Sequence, residues 1–285
     1  MRSLEVVAPG PYALVEDLGR PGYAHLGVAP SGALDTVSLR LANRLVGNPE
    51  GSAGVEALLG GLSVRFTTSA TVAVTGPSVS VDVDGRSFGS HTPVAVQAGQ
   101  TLVVGTPGAG LRCYLAVSGG IAVEEALGSR SRDVLSGIGP APLRPGDVLP
   151  LGPVRGVPAG ADVVVPAAAP EDLVIPVTLG PRDDWLESPA EGLSAWWTAT
   201  AESNRVGLRL DGTPLRRAAG FAEAELPSEG VVTGAIQVPP SGLPVVFLAD
   251  HPTTGGYPVA AVVRAAALSA LAQARPGTRV RFRLS

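Results

Sequence analysis

Thirty-seven glycines and 27 prolines are interleaved with short valine-rich runs along a chain of 285 residues. That interleaving constrains the fold more than any other feature, because Gly and Pro punctuate a chain while β-branched runs of this length suit strands. The pattern predicts a mainly β protein with many short strands, tight turns and few helices. Strand candidates include "GLSVRFTTSATVAVTG", "LRCYLAV", "EGVVTGAIQVP", "LPVVFLAD" and "VSVDVDGRSFG", the last with an Asp84-Gly85 hairpin turn. One element recurs: "QAGQTLVVG" (97–105), "RPGDVLPLG" (144–152) and "RPGTRVRF" (275–282) each set a Gly turn just before a strand-like run. The recurrence suggests related barrel or sandwich substructures in both halves.

Two helices stand out. "SGALDTVSLRLANRLVGN" predicts a helix near 31–47, with Ser31 as cap, Asp35 in the first turn and Gly47 at the end. Alanine-rich "PVAAVVRAAALSALAQARPG" predicts a second near 258–274, stopped before Pro276-Gly277. The Pro/Ala/Gly-rich run from Gly152 to Leu173 is the expected boundary, dividing the chain into β-rich parts at 1–155 and 170–285.

All 21 basic residues are arginines. Without lysine there is no Schiff-base amine, no Walker-type phosphate lysine and no lysine general base; an oxyanion must be held by Arg, backbone N–H groups or hydroxyls. The net charge of −4 and the lack of a basic run give no nucleic-acid footprint. Neither a membrane span nor a signal peptide is legible, so a cytoplasmic location is expected. Three scattered histidines (His25, His91, His251) suggest no metal, and the single Cys113 reads as a buried strand residue.

Polar clusters carry the candidate chemistry. In "EDLGRPGYAHLGVAPSGALD", Arg20 beside Asp17, with Asp35 near a helix start, could hold a planar anion; alternatively Asp17 and Arg20 pair to pin a loop. "ANRLVGN" supplies Asn43, buried or facing a ligand, and "LGSRSRD" supplies Arg130 among hydroxyls. Further on come Asn204 and Arg205 in "SNRVGLRLDG", Gln237 in "GAIQVPPSG", and "DHPTTGGYPVAAVV". There, Thr253, Thr254, Gly255, Gly256 and Tyr257 could form an anion-lining loop ahead of a helix's positive end, or simply a turn.

Together and in this order, "VEDLGRPGYAHLGVAPSGALD", "ANRLVGN", "VEALLGG", "LAVSGGI", "LGSRSRD", "LRPGDVL", "SNRVGLRLDG", "SEGVVTGAIQVPPSGLPVVFLAD" and "TTGGYPVAAVV" resemble one family over nearly the whole chain. It is the biotin-dependent carboxyltransferase family, also called allophanate hydrolase subunit 2 or KipA-like. The resemblance implies a cyclophilin-like β-barrel architecture. It implies action as the C subunit of an ATP-dependent 5-oxoprolinase, opening 5-oxoproline to glutamate beside a KipI-like B subunit and an A-type subunit. ATP would serve the complex and not be bound by this subunit. Two alternatives come with it: half of a carboxyltransferase domain for urea or another small amide, the only setting that involves biotin, and a non-catalytic regulator that binds a KipI-like partner.

Under this resemblance Asp17, Asp35 or Tyr257 would relay a proton. Arg20 or Arg205, with the N–H groups of Thr254 to Tyr257, would hold developing negative charge, and Asn43, Arg130, Asn204, Gln237 and Thr253 would contact substrate. The chain departs from the family pattern at Glu16, where Gln is usual, at Ser241, where Asp is frequent, and at His251-Pro252. His251 is therefore expected as a local substitution at the rim of the site.

Overall fold

The computed structural model describes residues 2–158 and 171–285. Most of the expected boundary run lies outside the described residues. The chain forms two compact units: Met1–Arg20, Ser31–Asp133 and Gly137–Ala169 make the first, and Pro21–Pro30, Val134–Ser136 and Pro170–Ser285 the second. The short segments at 21–30 and 134–136 join the second unit, which a linear reading of composition does not anticipate. No helix among the described residues is long and apolar enough to cross a membrane.

The first unit holds β1 (Ser3–Pro9), β2 (Tyr12–Glu16), α1 (Thr36–Leu45), β3 (Gly54–Leu58), β4 (Leu62–Phe66), β5 (Ala70–Thr75), β6 (Ser80–Val83), β7 (Arg86–Gly89), β8 (Val94–Val96), β9 (Thr101–Val104), β10 (Arg112–Val117) and β11 (Val148–Pro150). They make a six-stranded sheet in the order β11-β1-β4-β9-β6-β7 and a five-stranded sheet in the order β2-β3-β10-β5-β8. Inward residues of both sheets, among them Leu4, Val6, Val64, Phe66, Val74, Leu102 and Leu115, form one core. Burying each such side chain contributes about 1.5–3 kcal/mol.

Strand β10 is buried along its whole length. Cys113, Leu115 and Val117 face the sheet-to-sheet core, while the alternate residues Tyr114 and Ala116 meet α1 through Leu39, Ala42 and Leu45. The helix begins later than expected. Ser31 lies at φ 53° and does not cap it; Asp35 does, accepting from Ser38 N at 3.0 Å and from the Ser38 hydroxyl at 2.7 Å. Asp35 thus precedes the helix instead of lying inside it. Its far end closes as a Schellman motif: Gly47 sits at φ 75°, its N–H donates to Arg44 O at 3.1 Å, and Asn48 N–H donates to Asn43 O at 2.9 Å.

The second unit holds β12 (Asp172–Leu179), α2 (Pro189–Leu193), β13 (Trp197–Ala199), β14 (Gly207–Asp211), β15 (Glu229–Gly230), β16 (Ala235–Gln237), β17 (Val245–Phe247), β18 (Thr254–Gly255), β19 (Val259–Val263), α3 (Leu268–Ala272) and β20 (Arg279–Leu284). A closed barrel runs β12-β19-β16-β17-β14-β13-β20 and returns to β12 through a parallel β12–β20 pair. Closure removes the exposed edges that open sheets must protect. The chain is therefore mainly β, as expected.

The second helix is corrected. Val259–Val263 is a strand paired on one side with β12 and on the other with β16, and only Leu268–Ala272 is α-helical. Cross-strand pairing on both edges outweighs the helical preference of the flanking alanines, and the three valines suit it.

All three turn–strand repeats are present. Gly99, Gly146 and Gly277 have φ of 88°, 90° and 91°, which glycine adopts without penalty. In each, the residue after glycine returns its N–H three positions back, and its side chain accepts the N–H of that same residue: Gln100 to Gln97, Asp147 to Arg144, Thr278 to Arg275. Strands β9, β11 and β20 follow. At Asp84-Gly85, φ of 47° and 83° matches the tight hairpin turn joining β6 to β7.

A glycine-walled basic cleft and its supporting residues

The polar residues singled out at the start of the chain converge on one loop. The Asp17 carboxylate, buried at the end of β2, accepts four hydrogen bonds: from Gly19 N at 2.8 Å, the Ser129 and Ser131 hydroxyls at 2.6 Å each, and Arg130 N at 2.7 Å. Ser131 Oγ also accepts from Asp17 N at 2.8 Å. Arg20 grips the same loop, its Nε donating to Ala126 O at 3.1 Å and its Nη2 to Ser131 O. Asp17 and Arg20 do not pair with each other; both fix residues 126–131. Arg20 is 2% exposed and its Nη1 has no hydrogen-bond partner. A buried carboxylate and a buried guanidinium on one short loop are costly to desolvate unless well bonded, and what they hold in place is the backbone of Arg130.

A second buried network builds the facing wall. Asn43, fully buried, donates to Glu50 O at 3.3 Å and Ser52 O at 2.7 Å, and its oxygen accepts from Asn48 at 3.0 Å. Asn48 in turn donates to Val117 O at 2.8 Å and accepts from Gly119 N at 2.8 Å. Between these supports lies a cleft of about 280 Å³, lined by Asn48, Ser52, Gly119, Gly120, Arg130 and Arg155 among others. Gly119, at φ 96°, faces Gly152 so closely that a Cβ there would fall on the Gly152 carbonyl oxygen. Gly47 and Gly156 press together in the same way, fixing the chain beside Arg155.

The cleft is basic. Arg130 donates through Nε to Val123 O at 2.9 Å and pairs with Glu125 at 2.6 Å; among the described residues Arg155 makes no ion pair and no carboxylate lines the cleft. Asn43 thus supports the wall and does not line it, and Asp17 and Arg20 stand behind it in the same sense. Asp35 caps α1, and its N–H donates to the Tyr114 hydroxyl at 2.8 Å. That phenol donates to Glu56 at 2.8 Å, and burial pushes its pKa well above 10.

The remaining predicted residues lie in the second unit. Asn204 accepts from Val206 N at 2.9 Å and Gly207 N at 3.3 Å, shaping the turn into β14. Arg205 forms a buried two-point pair with Asp250, 2.8 Å at Nε and 3.3 Å at Nη2. Thr254 and Gly255 form β18, paired with Glu229 and Gly230 of β15, and Thr253 O accepts from Val231 N at 3.0 Å. Gln237 donates to Tyr257 O at 3.0 Å and packs where a Gly255 Cβ would sit. Gly256 sits beside Leu226 O, and the Tyr257 side chain is exposed.

Two expectations for this stretch fail. Neither Gly255 nor Gly256 has positive φ, strand β18 covers only Thr254 and Gly255, and β19 follows where a helix N-terminus was expected. His251 is buried, not at a rim: it stacks on Phe247, and its ring nitrogens meet Pro252 O at 2.6 Å and the Thr233 hydroxyl at 3.1 Å. A carbonyl only accepts, so Nδ1 carries hydrogen. Sequence reasoning left out Thr233, Arg155 and Arg182, the last of which pairs with Glu229 and holds its carboxyl below the ordinary range. None of them has a local sequence signal; only the β15/β18 ribbon and the Gly47–Gly156 contact bring them into place.

Comparison with known proteins agrees with this architecture. The C subunit of a 5-oxoprolinase from Escherichia coli is 35% identical over 98% of this chain and 90% of its own length. A urea amidolyase of Saccharomyces cerevisiae is 34% identical over 98% of this chain but only 16% of its own. The crystal structure of the K. lactis urea amidolyase superposes with a TM-score of 0.91 at 33% identity, covering 98% of this chain and 18% of that one. The family model described as carboxyltransferase domain, subdomain A and B, matches residues 26–284. With its sandwich, its closed barrel and that match, the chain belongs to the carboxyltransferase domain, subdomain A and B, family.

Proposed function

We propose that this chain is the C subunit of an ATP-dependent 5-oxoprolinase, acting beside a KipI-like B subunit and an A-type subunit to open 5-oxoproline to glutamate. The observation that carries the reading is the likeness to the C subunit of the E. coli 5-oxoprolinase, 35% identical over 98% of this chain and 90% of that protein. The chain's own contribution would be to bind and orient the small lactam, using guanidinium and backbone groups in place of the missing lysines. No lysine is present to hold a nucleotide phosphate in the Walker manner. In this reading ATP serves the complex and is held by a partner subunit.

The test is to copurify the chain with its B and A partners and measure glutamate release from 5-oxoproline and ATP. Release that needs all three chains supports the reading; undiminished release without this chain overturns it. A second reading, half of a carboxyltransferase for urea or another small amide, is favoured by the family match and the likeness to the K. lactis urea amidolyase. Biotin-dependent carboxylation of urea by the reconstituted complex, with no 5-oxoproline turnover, would select it.

A further inference from the structure

We infer that the cleft of the first unit is a binding site for a small carboxylate, gripped between Arg130 and Arg155. Much of the buried polar chemistry of this unit serves the walls of this one cleft. Asp17 and Arg20 clamp residues 126–131 and so hold Arg130, and Asn43 and Asn48 hold Ser52 and Gly119. Gly119, at φ 96°, packs against the Gly152 carbonyl where a Cβ would otherwise fall, and so fixes the backbone that lines the cleft. Arg130 is paired with Glu125, while Arg155 makes no ion pair among the described residues, so the lining keeps a net positive charge, and a planar carboxylate matches the guanidinium fork.

Glu125 is the internal competitor. It pairs with Arg130 from outside the lining at 2.6 Å, with both side chains partly exposed (34% and 47%). Such a pair is weak, so a ligand carboxylate can exchange with it. Arg155 has no competitor among the described residues. A neutral amide such as urea offers these groups no anion, whereas 5-oxoproline and glutamate both carry one. The inference rests on the proposed function for its choice of probes. It is read by binding to the chain alone, so that it can fail while turnover by the complex stands, and the reverse.

Calorimetry at fixed ionic strength on the full chain would use 5-oxoproline, glutamate, 2-pyrrolidinone, urea and inorganic phosphate. Saturable binding of 5-oxoproline or glutamate, with 2-pyrrolidinone and urea silent, is expected. Arg155→Ala, an exposed change that leaves the core intact, and Arg130→Ala should each weaken binding about tenfold or more. Glu125→Gln should tighten it roughly two- to fivefold by freeing Arg130, an effect that a purely structural Arg130–Glu125 pair would not produce. Binding of phosphate alone overturns the carboxylate assignment. Equal binding of urea or 2-pyrrolidinone, or binding indifferent to Arg155→Ala, overturns the site.

Discussion

Replacing Asp17 with asparagine tests whether the loop clamp is what shapes the cleft. The substitution keeps size and removes the charge. Asp17 Oδ1 accepts from Gly19 N and from two hydroxyls, and Oδ2 accepts from Arg130 N. With the asparagine oxygen facing the three donors, its NH2 group opposes the Arg130 N–H, and that bond becomes a clash of donors. The three surviving bonds change from charge-assisted to neutral, losing about 1 kcal/mol each, and the fourth loses about 1.5–3 kcal/mol. Allowing for non-additivity among groups that share one carboxylate, the expected cost is about 4 kcal/mol. The three tryptophans, Trp185, Trp196 and Trp197, belong to the second unit, so fluorescence would not report this loop. Amide hydrogen exchange does: the Arg130 N–H should exchange roughly a thousandfold faster in Asp17→Asn. Ser129→Ala, which removes one donor, should cost about 1.5 kcal/mol. Exchange at Arg130 changed less than about fivefold in Asp17→Asn would refute the clamp.

Other consequences follow from the same physics. Because burial raises the Tyr114 pKa in the folded state, its stabilisation is complete below about pH 10 and is lost as pH rises further, by about 1.4 kcal/mol per pH unit; Tyr114→Phe should abolish that alkaline limb in denaturant titrations. Gly119→Ala, which combines a left-handed φ with a Cβ on the Gly152 carbonyl, should destabilise by about 2–4 kcal/mol and abolish anion binding in the same calorimetric experiment. Asp250→Ala removes the two-point carboxylate partner of the buried Arg205 guanidinium and should cost about 1.5–3 kcal/mol, seen as a lower tryptophan-fluorescence midpoint in urea.

The sequence by itself determined what is local. The turn–strand repeats were legible because glycine's access to φ near 90° and a side chain returning to a backbone N–H three residues earlier both act within four residues. The Asp84-Gly85 hairpin, the Gly47 helix end and the burial of Cys113 are of the same kind. Asp17, Arg20, Asn43 and Arg130 were visible as polar residues in ordered motifs, and the family was legible in their order.

Only the tertiary structure decided what those residues do. The Asp17 hydroxyl donors lie 112 and 114 positions away, so spacing could suggest an anion site or a pinned loop but could not choose the loop. The run at 259–263 became a strand because β12 and β16 occupy both its edges, a constraint absent from any local propensity. The cleft depends most on distance: Arg155 is an unmarked arginine in the sequence, and it lines the cleft through contacts such as the one between Gly156 and Gly47, where two glycine backbones meet with no room for a side chain.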